Sequence, residues 1–118
     1  MKVVTWHGET RFTLDEAPEP VAGAGQAVVA VHTSGICGTD VHTTQGLFPV
    51  TPPRVMGHEY SGTVVAVGPG VSQRWIDREV ACEPNYGCGE CTECRAGLDS
   101  QCARCTSLRP GPGRHPHP

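Results

Sequence analysis

Apolar and polar positions alternate only over short stretches, and glycine or proline interrupts each one before a long amphipathic helix can build up. Val3 to Trp6 and Arg11 to Leu14 predict two strands around the turn His7-Gly8-Glu9. This opening hairpin leads out through the acidic, proline-containing run Asp15 to Pro20. Gly23-Ala24-Gly25 then turns the chain into Gln26 to Ser34, whose β-branched run predicts a strand long enough to cross a core. On it His32 reads as a half-exposed strand residue. Gly35 to Gly38 breaks that strand, and Thr39 to Gln45 predicts one or two helical turns started by a Thr or Asp cap and ended by Gly46. Beyond the loop Pro49 to Pro53, Thr63 to Val67 predicts a buried strand closed by Gly68-Pro69-Gly70. Arg78 to Cys82 predicts another strand, with Cys82 as a packed thiol. Thr92 to Ala96 predicts a helical turn ending at Gly97.

Composition supports short strands over helices. Of 118 residues 37% are hydrophobic and 5% aromatic, against 15 Gly and 11 Pro, which implies one β-rich domain with a modest core. The net charge of −3 comes with no basic patch for phosphate contacts, so nucleic acid is not an expected partner. No stretch approaches the ~20 apolar residues of a membrane span, and a cytoplasmic protein is expected. Seven cysteines without a leader-like N-terminus read as thiolate ligands and free thiols, not as a disulfide framework. Residues 108–118 hold four prolines and two glycines and predict a disordered tail after a domain at residues 1–107. Its His115-Pro116-His117 pair reads as part of that tail, with no site assigned there.

The chemistry concentrates in residues 85–103. Cys88, Cys91, Cys94 and Cys102 follow the spacing Cys-x2-Cys-x2-Cys-x7-Cys in a glycine-punctuated loop. Four thiolates in one short loop suit a closed, tetrahedral structural zinc site. Two alternatives stand beside zinc. One is four ordinary reduced thiols; the other is an iron–sulfur cluster, since the first three cysteines repeat a ferredoxin-like run that lacks the Cys-x3-Cys-Pro continuation. A second pair, Cys37 and His58, lies at glycine-flanked breaks beside predicted strands, in Gly35-Ile36-Cys37-Gly38-Thr39-Asp40 and Gly57-His58-Glu59. A thiolate, an imidazole and one more ligand are how a catalytic zinc is held with a position left open.

Three segments in this order resemble the N-terminal, GroES-like catalytic domain of zinc-dependent medium-chain alcohol dehydrogenases. They are Gly35-Ile36-Cys37-Gly38-Thr39-Asp40-Val41-His42, the run Val55 to Gly68 that includes Gly57-His58-Glu59, and the four-cysteine lobe. The likeness runs from about Met1 to about Cys102 and fades near Thr106; Cys37-Gly38-Thr39-Asp40 is most similar to the polyol and threonine dehydrogenase branch. The resemblance implies a mainly β fold, a GroES-like β-barrel with short helices and a four-cysteine structural zinc lobe. It implies that Cys37, His58 and Glu59 attend a catalytic zinc that lowers the pKa of an alcohol or polyol, with hydride passing to NAD(P). Thr39 and His42 would relay the alcohol proton, and Asp40 would orient His58 from behind. Cys88, Cys91, Cys94 and Cys102 would hold the structural zinc, while Cys105 falls outside that pattern as a spare thiol.

The sequence also departs from the family. Family members are about three times as long, with a barrel closure, a further catalytic-zinc ligand and a dinucleotide-binding domain after the lobe. Gly23-Ala24-Gly25, Gly68-Pro69-Gly70 and Gly111-Pro112-Gly113 are followed at the required position by Val28, Gln73 and Pro116, so none completes Gly-x-Gly-x-x-Gly/Ala. No nicotinamide site is therefore expected in these residues. The alternative to an oxidoreductase is an inactive zinc-binding fragment, or a partner for related subunits. A truncated or frame-shifted ending would account for the composition of residues 108–118, and resequencing the gene for a downstream frame tests it.

Overall fold

The computed structural model describes residues 1–48 and 50–107, so the tail expected at residues 108–118 lies outside the described residues. The opening hairpin forms as read. Strand β1 (Lys2–Trp6) pairs antiparallel with β2 (Phe12–Glu16), from Lys2 opposite Glu16 to Trp6 opposite Phe12. Its turn is closed by the Arg11 N–H donating to the Gly8 carbonyl at 3.1 Å. A two-residue strand, β4 (Arg54–Val55), lies on the other edge of β1.

The larger sheet is built on β3 (Ala27–Ser34) and β5 (Tyr60–Val67), antiparallel, with β6 (Glu79–Ala81) on the far edge of β5. Irregularities between Val28 and Val29 and between Val31 and Thr33 bend the β3–β5 ladder. Gly62 sits where the two strands come closest: a Cβ there would run into the Ala30 carbonyl oxygen, so a strand interior that ordinarily disfavours glycine requires it. β5 begins at Tyr60, three residues ahead of the expected start at Thr63, because Ser34 on β3 pairs with Tyr60. His32 is exposed, its ring Nε2 3.3 Å from the Thr63 hydroxyl. Cys82 is half-buried.

A short helix, α1 (Gly38–Thr44), follows β3. Its cap is Cys37, not Thr39 or Asp40; Asp40 instead takes the Cys37 N–H on a carboxylate oxygen at 3.0 Å, satisfying a donor at the helix start. Gly46 and Gly97 stand just past α1 and past α2 (Thr92–Arg95), each at φ 75°, as helix ends favour. The chain closes with β7 (Asn85–Tyr86) paired to β8 (Thr106–Ser107).

Among the described residues the strands form three separate small sheets and do not close into a barrel. The core is as small as the composition implies. Trp6, Val64 and Cys102 are its buried apolar residues, and Trp6 donates its indole N–H to the Glu9 carbonyl at 2.9 Å. Thr43 is buried on α1 with its hydroxyl on the Thr39 carbonyl at 2.8 Å. By contrast Leu14 is 67% exposed and Ile36 85%.

Candidate metal centres

Two groups of ligating side chains come together, and the sheet register explains both. The β7–β8 pair, Asn85 opposite Ser107 and Tyr86 opposite Thr106, ties off the loop between them like a stem. All four cysteines of the lobe fall inside it. Their sulfurs lie within 4.8 Å of one another. Cys91 Sγ is 3.4 Å from Cys94 Sγ and 3.7 Å from Cys102 Sγ, and Cys88 Sγ is 4.0 Å from Cys94 Sγ. A tetrahedral ion with Zn–S bonds of about 2.3 Å needs sulfurs about 3.8 Å apart, so these side chains fit one zinc ion. The set is too tight for a multi-iron cluster, in which the cysteines bind different irons.

The lobe's surroundings are arranged for thiolates. Cys102, 5% exposed, accepts N–H groups on its sulfur from Arg104 at 3.3 Å and from Cys88 at 3.5 Å. The N–H groups of Glu90 and Cys91 pull the Cys88 thiol down to about 6. Loss of hydration pushes Cys94 up to about 12, so without metal the lobe concentrates its first negative charge on Cys88. The Arg104 guanidinium feels that thiolate and also reaches Glu90 at 3.4 Å. Neither Arg104 nor Gly87 stood out in the sequence. A Cβ at Gly87 would collide with the Cys94 sulfur, and the one sequence signal for this was a glycine directly before the first ligand.

The second group forms at the far end of the β3–β5 ladder. Because Ser34 pairs with Tyr60 in antiparallel register, the residues just after β3 and just before β5 emerge at the same end of the sheet. The Gly35 N–H donates to the Glu59 carbonyl at 2.9 Å and fixes the crossing. This brings Cys37, His58 and Glu59 together, with one ligand atom of each within 4.8 Å of the others. Cys37 and His58 are half-buried; Glu59 is exposed.

Asp40 joins the two sides. One carboxylate oxygen takes the Cys37 N–H, and the other lies 3.4 Å from His58 Nδ1. An acceptor on Nδ1 leaves Nε2 as the ligating nitrogen. The donor set, one sulfur, one imidazole and one carboxylate, suits zinc with an open position. Thr39 places its hydroxyl 3.1 Å from Cys37 Sγ. His42 follows one turn later on α1, exposed, its ring centroid 6.0 Å from that of Phe48.

The chain is thus a mainly β domain that carries a four-cysteine cluster in one loop and a Cys/His/carboxylate cluster at one end of its larger sheet. Residues 23–114 match the alcohol dehydrogenase GroES-like domain, and the chain belongs to that family. This match reaches past Thr106, where the motif likeness fades. The chain is 39% identical over 102 residues to sorbitol dehydrogenase of Halalkalibacterium halodurans, covering 86% of this chain and 30% of that protein. It is 36% identical over 105 residues to zinc-type alcohol dehydrogenase B of Aspergillus flavus, covering 88% of this chain and 24% of that protein. The crystal structure of galactitol-1-phosphate dehydrogenase from Escherichia coli superposes with a TM-score of 0.82 at 33% identity, covering 92% of this chain and 32% of that one. The chain thus spans between 24% and 32% of the length of these relatives. Among the described residues no helix is long and apolar enough to cross a membrane.

Proposed function

We propose that these residues are the alcohol-activating part of a zinc-dependent NAD(P) alcohol or polyol dehydrogenase, with a structural zinc in the cysteine lobe. The observation that carries this reading is the convergence of Cys37, His58 and Glu59 with the Asp40 carboxylate behind His58. A zinc ion held by those three residues supplies Lewis-acid chemistry toward an alcohol oxygen. Asp40 keeps the His58 ring in one tautomer and orientation. Thr39 Oγ1, beside the Cys37 sulfur, accepts the alcohol proton, and the exposed His42 ring, three positions further on the same helical face, passes it to solvent. Phe48 beside His42 supplies an apolar surface for a carbon chain.

The hydride acceptor requires a dinucleotide-binding turn that these 118 residues do not spell. Taken alone they therefore bind zinc and turn over little or no alcohol, since the reacting carbon and the nicotinamide cannot be held together. Related subunits or a further stretch of chain would provide the acceptor. Assaying NAD-dependent oxidation of a small polyol by the 118-residue chain tests this: no saturable rate is expected. A rate that saturates in both polyol and NAD, and vanishes in Cys37→Ala, would overturn the inert reading while supporting the site assignment.

A further inference from the structure

The fifth cysteine beside the lobe has a definite geometric relation to one ligand. The Cys105 N–H donates to the Cys102 carbonyl at 2.9 Å, so Cys102-Ala103-Arg104-Cys105 is a hydrogen-bonded four-residue turn with a cysteine at each end. Such a turn holds its end Cα atoms within about 7 Å, and disulfides span Cα separations of about 4.4 to 6.8 Å. The two thiols differ sharply in access. Cys105 is exposed, whereas Cys102 is the most buried of the seven cysteines. An oxidant in solvent meets Cys105 first, and the turn offers a covalent route from there to the ligand it cannot reach directly.

We propose that Cys105 and Cys102 form a peroxide-responsive dithiol that opens the zinc lobe. This inference rests on the reading of that lobe as a zinc site. The Cys105 thiolate attacks a peroxide oxygen and breaks the O–O bond, giving a sulfenic acid and hydroxide. The Cys102 sulfur then displaces hydroxide from the Cys105 sulfur; the S–S bond forms, and the two hydroxides released, one in each step, each take a proton to become water. Two thiols are oxidised and one peroxide is reduced to two waters. With Cys102 in the disulfide, the cage keeps three donors and its ion is released. A thiol reductant breaks the bond and restores the fourth donor.

The test exposes the zinc-loaded 118-residue chain to hydrogen peroxide, follows zinc with a chromogenic chelator and maps disulfides by peptide mass spectrometry. Cleavage after Arg104 leaves Cys102 and Cys105 in separate peptides joined only by the predicted bond. That bond is expected to form first, with release of the lobe zinc and recovery after dithiothreitol and added zinc. Cys105→Ser, a change at an exposed position, is expected to bind zinc normally but release it roughly 10-fold more slowly under peroxide. A first disulfide among Cys88, Cys91 and Cys94, no disulfide at all, or release from Cys105→Ser at the unaltered rate would overturn the proposal. Absence of zinc before peroxide would instead overturn the reading of the lobe, and the peptide map would still decide whether Cys102 and Cys105 pair.

Discussion

The two candidate metal centres gather their side chains in opposite ways. The lobe takes four sulfurs from one loop closed by its own two-stranded stem, so its geometry depends on little outside residues 85–107. The other centre takes Cys37 from the end of β3 and His58 and Glu59 from the approach to β5, and holds them through sheet register and a shared carboxylate. One is a local cage of like donors, the other a long-range meeting of unlike donors with an open side. A closed cage stabilises structure; an open, mixed-donor site can admit substrate. The contrast also predicts that damage to either should stay confined to it.

The largest effect is expected from removing a cage ligand. Cys91→Ala should abolish zinc in the lobe, since structural zinc in small peptides contributes on the order of 10 kcal/mol of folding free energy. Metal analysis should then find the Cys37–His58 ion still present, and loss of both ions would break the claim of independence. Gly87→Ala comes next. Its Cβ would displace the Cys94 sulfur, so zinc should leave the lobe to a competing chelator at least roughly 10-fold more readily while the second site is unchanged.

At the other centre, Asp40→Ala removes both the partner of His58 Nδ1 and the acceptor for the Cys37 N–H. Metal affinity there should fall by about 10- to 100-fold, read by competitive titration, with the lobe unaffected. The smallest effect concerns pH in the metal-free protein. Cys88 is depressed from 9.0 to about 6, so its contribution to lobe stability is fully present above pH 9 and lost as pH falls through about 6. Cys94 is raised to about 12, so its contribution is fully present below pH 9 and lost as pH rises toward about 12. Ultraviolet thiolate absorbance should therefore show a first step near pH 6 that disappears in Cys88→Ser.

The same contrast governs what the sequence discloses. The lobe was legible because its ligands are neighbours along the chain, and their spacing alone suggests a cage. Cys37 and His58 were legible only weakly: glycine-flanked breaks beside predicted strands suggest that they meet, but each alone is an unremarkable thiol or imidazole, and the resemblance to a family supplied Glu59 and the catalytic role. The register that brings them together, Ser34 against Tyr60, depends on where β5 begins, and the break around Gly57 and Gly62 hid that start. The stem strands β7 and β8, like β4, are two residues long and pair only through the tertiary fold, so no local pattern announces them. Cys37 as a helix cap was missed because a thiol is a weak acceptor, and the carboxylate three residues later does the capping work. The β-rich class and the small core followed directly from short alternating runs and few aromatic residues.

Zinc and iron per chain, measured by plasma mass spectrometry on protein purified without added metal, test the two-centre account most directly. The account predicts about two zinc per chain, falling to about one in Cys91→Ala and to about one in His58→Ala. A single zinc that His58→Ala leaves in place would show that Cys37, His58 and Glu59 do not hold an ion, and iron in place of zinc would contradict the choice of metal.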